Sequence, residues 1–108
     1  MQGFQLTFFT EQNRHHEHQP LHEWLMELAK SLGIRGATLL TATEGIGHNG
    51  RFHSAHFFEL ADQPVELVMV VNEDEAHRLF ERLNQEDISI FYVKSPVEFG
   101  VAGAAAKA

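Results

Sequence analysis

The 108 residues, 44% of them apolar and 21% charged, suit one domain that buries roughly two-thirds of its unfolded surface. The absence of cysteine excludes disulfides, thiolate metal sites and cysteine nucleophiles. Fifteen acids against eight Lys and Arg leave a formal charge of −7, a poor match for a phosphate backbone, so no nucleic-acid partner is expected.

Phe4-Gln5-Leu6-Thr7-Phe8-Phe9 mixes alternation with aromatic and β-branched residues and predicts a first strand. Thr10 to Gln19 is polar, has no helical stripe, and reads as a loop. Pro20 stands at a first helical position, where its ring presets φ and its missing N–H costs nothing. Behind it Leu21, Trp24, Leu25, Leu28, Ala29 and Leu32 follow the spacing of an amphipathic helix, which Gly33 ends. Ala37 to Thr43 is a short β-prone run. Glu44-Gly45-Ile46-Gly47-His48-Asn49-Gly50-Arg51 holds three glycines and reads as a flexible or tightly turned loop.

Phe52 to Leu60 returns to extended, aromatic-rich sequence, and Ala61-Asp62-Gln63-Pro64 is turn-like. Val65 to Val71 is almost continuously apolar, which predicts a strand covered on both faces. Asn72 suits the N-cap of a second helix, with Ala76, Leu79, Phe80 and Leu83 on its stripe. Ile88 to Val93 is the final strand. A single domain over 1–94 and a frayed tail over 95–108 are expected. No apolar run approaches the ~20 residues of a membrane helix. Met1-Gln2-Gly3-Phe4 lacks the basic and apolar regions of a secretory signal, so a cytoplasmic location is expected without membrane insertion.

Strand, helix, two or three strands, helix, strand, joined by right-handed crossovers, gives an α+β ferredoxin-like β-α-β-β-α-β sandwich. Its two helices cover one face of an antiparallel sheet. The apolar residues of Val65–Val71, with Phe52, Phe57 and Phe58, exceed what one covered face needs. An uncovered apolar face predicts a homo-oligomer.

Gly33-Ile34-Arg35-Gly36-Ala37-Thr38-Leu39-Leu40, continuing to Glu44-Gly45-Ile46-Gly47, resembles the domain-of-unknown-function family 190 of PII-like signalling proteins. The likeness continues through Leu60-Ala61-Asp62-Gln63-Pro64-Val65-Glu66 and covers nearly the whole chain, from Gly3 to Val93. It implies a ferredoxin-like protomer, a homotrimer, and a mobile loop between the second and third strands, here Glu44–Ala55. It also implies a small effector, such as an adenine nucleotide, in clefts between protomers, with Thr38, Gly45, Gly47 and Asn49 as the effector-binding residues. The loop would be presented to a target protein, for which the resemblance suggests a membrane transporter or channel.

The eight histidines support an alternative, a divalent-metal-binding or metal-tolerance module of the same fold. His15, His16, His18 and His22 gather around the loop before the first helix, and His48, His53 and His56 flank or follow the glycine loop. A loop can bring His15 and His18 with Glu17 onto one divalent transition metal, since imidazole is a common ligand. His53 and His56 point to opposite faces of a strand, but one His53 from each protomer around a trimer axis would supply equivalent ligands. His15, His16, His18 and His53 are therefore the candidate metal residues, with solvated loop positions as the other open reading. The spacing matches no closed zinc site. Gly-x-Ser-x-Gly and a Lys-Ser/Thr phosphate loop are both missing, so no enzyme and no catalytic residue are expected.

Overall fold

The computed structural model describes residues 1–42, 44–46, 52–54 and 63–103. Along the chain lie β1 (Gln2–Glu11), β2 (His15–His16), β3 (Gln19–Pro20), α1 (Leu21–Ser31), β4 (Ala37–Thr41), β5 (Glu44–Ile46), β6 (Phe52–Ser54), β7 (Pro64–Asn72), α2 (Glu73–Asn84) and β8 (Phe91–Glu98).

Alternation in the two central strands sets the architecture. In β1, Leu6 and Phe8 are fully buried, and in β7 so are Val65, Leu67, Met69 and Val71. The antiparallel register pairs Phe4 with Val71, Leu6 with Met69 and Phe8 with Leu67, which places all of them on one face. The four strands lie in the order β4-β7-β1-β8, every neighbour antiparallel. The core closes with Leu21, Trp24, Leu25, Leu28 and Ala29 of α1 and Ala76, Leu79 and Leu83 of α2. Two helices on one face of an antiparallel sheet is the ferredoxin-like arrangement expected from the order of elements.

Both helices end as their sequences dictate. Gly33 adopts φ 81°, and the N–H groups of Gly33 and Ile34 bond the carbonyls of Lys30 and Ala29. That is a Schellman motif, with buried Ile34 supplying its apolar contact. Asn72 and Glu75 form a reciprocal capping box at the start of α2, with bonds of 2.9 and 2.7 Å. The side chain of Arg78 joins the helices, donating to the Leu32 carbonyl at 2.9 Å.

Several features differ from the sequence expectation: the segments 10–19 and 44–51, read as loops, hold most of the β2–β3 hairpin and all of β5, and the last strand begins at Phe91 and not Ile88. Pro20 sits outside α1 as its N-cap, with ψ 136°, because it closes the small ladder of β2 and β3. β8 continues past residue 94 to Glu98, since β1 offers partners as far as Gln2. Main-chain bonds in both directions then join Met1 and Phe99, each 2.9 Å. β7 is covered on one face only within the protomer, with Val68 half-buried and Val70 exposed. Thr38 and Leu40 of β4, Thr7 and Phe9 of β1, and Phe91 and Val93 of β8 share that open face by register. Leu40 is 48%, Phe91 49% and Val93 44% exposed, so the face is apolar and open.

Gly3 marks a very close contact within the sheet. A Cβ there would lie 2.0 Å from the Val71 carbonyl oxygen and 2.7 Å from a ring carbon of Phe99. The backbone of β7 has no room to retreat, so Gly3→Ala should cost roughly 1–3 kcal/mol. Urea denaturation checks this as a lower midpoint at an unchanged slope.

Candidate functional site

One end of the sheet gathers the segments that carry polar and glycine-rich sequence. β1 ends there at Glu11, opposite Pro64 of β7, while Thr41 of β4 faces Val65. Beyond Thr41, the Ala42 N–H bonds the Pro64 carbonyl at 2.9 Å, and Gln63 Nε2 donates to the Ala42 carbonyl at 3.1 Å. Gln12 N–H bonds the Gln63 carbonyl, completing a polar clasp at the root of the glycine segment. From this root β5 and β6 pair as an antiparallel hairpin, Gly45 opposite His53.

The second hairpin at this end is built by β2 and β3 around Glu17 and His18, with φ 51° and 66°. Two successive left-handed residues are the type I′ pattern, which normally selects Asn and Gly. Here tertiary contacts hold the strain. The Leu21 N–H, first of α1, donates to the Arg14 carbonyl at 2.7 Å. Trp24 Nε1 donates to Glu17 Oε2 at 3.2 Å. The side chain of Arg14 donates to the Ser89 carbonyl, tying the hairpin to the segment between α2 and β8.

His16 occupies the centre of this corner. Its ring stands edge-on to Trp24, centroids 4.6 Å apart, and its Nε2 lies 3.6 Å from Glu86 Oε2. Glu86, just beyond the end of α2, is also held by Arg82 in the last turn of that helix. His22, unlike the partly buried His16, is buried, with Nε2 3.3 Å from Gln12 Oε1. Its place beside Leu21 and three positions before Leu25 was the available clue to that burial.

Thr38 of the candidate effector residues is exposed on β4, paired with Val68. Gly45 lies in β5; Gly47 and Asn49 fall outside the described residues. The expected mobile loop of 44–55 contains the β5–β6 ladder, and its remaining positions also lie outside them. Among the candidate metal residues, His15 is exposed with Nδ1 2.8 Å from the Asn13 carbonyl, and His18 is exposed. His53 lies in β6 with its side chain outside the described residues. Among the described residues the structure therefore unites only His16 of that set with other metal-competent groups, and its carboxylate partner Glu86 gave no sequence signal.

A groove of about 750 Å³ runs between α2 and β8, lined by Phe4, His77, Phe80, Tyr92 and Lys94 among others. Lys94 Nζ lies 4.2 Å above the Phe4 ring, a cation–π contact along its wall.

Comparison with known proteins places this geometry in context. The model of the family DUF190, described as "Uncharacterized ACR", matches residues 3–98. A UPF0166 protein of Aquifex aeolicus (strain VF5) is 27% identical over 97 residues, spanning 82% of this chain and 92% of that protein. A Thermus thermophilus structure described as a PII-like signaling protein superposes with a TM-score of 0.65 at 23% identity, covering 89% of this chain and 87% of that one. CPII, a nitrogen regulatory PII-like protein from Thiomonas intermedia K12 bound to ADP, AMP and bicarbonate, gives a TM-score of 0.68 at 20% identity over 94% and 91% of the two chains. At these identities the structural matches establish a common fold.

The Arg14 contact is the link between the β2–β3 hairpin and the α2–β8 segment that is most easily removed. Arg14→Ala should leave global stability within about 1 kcal/mol, the worth of one hydrogen bond. Amide exchange should quicken locally over residues 13–20 and 86–90 while the sheet core stays protected.

Proposed function

Because the chain belongs to the domain-of-unknown-function family 190, we propose that it is a PII-like regulatory protein, not an enzyme, whose effector is an adenine nucleotide. The effector sits in a cleft between protomers of a trimer, against Thr38, Gly45, Gly47 and Asn49. The hairpin of β5 and β6 reports its presence to a target protein.

The single observation that carries this reading is the placement of the β5–β6 hairpin. It grows from the Ala42–Gln63–Gln12 clasp at the end of a sheet whose fold matches nucleotide-bound CPII. Glycines at 45 and 47 permit close main-chain approach to a phosphate, which a side chain would block. The effector acts by preferring one arrangement of the hairpin, and it shifts the population only by its difference in affinity between the two. The open apolar face supports the trimer, since burying Leu40, Val68, Phe91 and Val93 against neighbouring copies removes them from water.

Calorimetric titration of the chain with ADP and AMP tests the effector. Thr38→Val, which removes one hydroxyl partner, should weaken binding by about 1 kcal/mol, close to five-fold. Gly45→Val should weaken it further. Absence of heat and of thermal shift with either nucleotide at millimolar concentration would refute the reading.

Light scattering tests the assembly separately. Val68→Asp puts a charge on the open face without touching the helix-covered core, so the variant should scatter as a folded single chain. Retention of the parent mass would place the interface elsewhere.

A further inference from the structure

We infer that His16, Glu17 and Glu86 form a binding site for a divalent transition-metal ion of the zinc class. The three side chains each direct one ligand atom into the same corner, and these atoms lie within 4.8 Å of one another. Zinc at about 2.0–2.2 Å from nitrogen and carboxylate oxygen keeps tetrahedral ligand atoms roughly 3.4 Å apart. His16 Nε2 and Glu86 Oε2, at 3.6 Å, already meet that spacing. Glu17, whose ligand atom lies within 4.8 Å of theirs, swings inward to join them, and it is exposed, so its side gives the ion a way in.

The state of the imidazole carries the inference. His16 Nε2 is buried from solvent and has no hydrogen-bond partner among the described residues. At 3.6 Å the Glu86 oxygen is too distant to be one. A buried polar nitrogen without a partner is costly, and a metal ion is a partner that both nitrogen and carboxylate can share.

Neighbouring groups aim the ligands as supporting contacts do in metal sites. Trp24 Nε1 holds Glu17 Oε2 at 3.2 Å, and Arg82 holds Glu86 Oε1, leaving Oε2 turned to His16. One imidazole with two carboxylates favours zinc and its neighbours over magnesium or calcium, which take oxygen alone. With three protein ligands the fourth position stays open to water or an oxygen of a bound molecule. The ion would clamp the β2–β3 hairpin to the α2–β8 segment. This site is not the histidine cluster of the loop, because His15 and His18 take no part in it.

Chelator-treated full-length chain titrated with Zn²⁺ by calorimetry, and with Co²⁺ by visible absorption, provides the test. One ion per chain is expected. Glu86→Gln and His16→Gln should each weaken binding by at least about ten-fold, while the double variant His15→Ala, His18→Ala binds as the parent does. Should His16→Gln fail to fold by circular dichroism, Glu86→Gln, which keeps the side-chain shape, decides the matter. Unchanged affinity in Glu86→Gln, loss of binding in the His15/His18 variant, or no binding by the parent would overturn the inference and leave an ordinary His16–Glu86 ion pair. No nucleotide enters this experiment, so its outcome is independent of the effector reading.

Discussion

Two helices of 11 and 12 residues can cover one face of a four-stranded sheet and no more. Everything else in the protomer follows from that limit. The covered face takes the residues that pair across β1 and β7, Leu6 with Met69 and Phe8 with Leu67, and seals them under both helices. The opposite face keeps its apolar residues without a lid of its own. A sheet of this kind leaves one apolar face open within the protomer.

The same limit explains where variable chemistry collects. The helices and their caps fill the covered face, so polar segments gather where strands end. At one such end lie the β5–β6 hairpin, the β2–β3 hairpin and the α2–β8 segment, the last two joined by the Arg14–Ser89 bond. Glu86 and Asp87 give the α2–β8 segment a negative end. A cation on Glu86 would offset part of that charge.

Much of the fold was legible because local signals agreed with the final packing. The Leu21–Leu32 stripe, Gly33 as a stop and Asn72 as a cap each carry their own geometry in sequence. Val65–Val71 misled because its open-face residues Val68 and Val70 are as apolar as its buried ones, so the two-residue period is lost there. The turn at Glu17–His18 carries no Asn-Gly signal, since Trp24 and Arg14 hold it from outside. Thr38 and Gly45 came from family resemblance rather than from spacing, and the His16–Glu86 pair had no signal, because only the tertiary fold joins residues so far apart.

The bonds between Met1 and Phe99 give the chain a further property. They hold the residue before β1 beside the residue after β8, at the edge of the sheet roughly 30 Å from the two hairpins at ~3.3 Å per residue of β1. A short linker from Phe99 to Met1 would close the residues between them into a ring. The protomer can then be reopened at a connection of choice and its elements presented in a permuted order. A partner fused at this edge would likewise stand clear of the end where both hairpins emerge, so labels and tethers belong here and not on the loops.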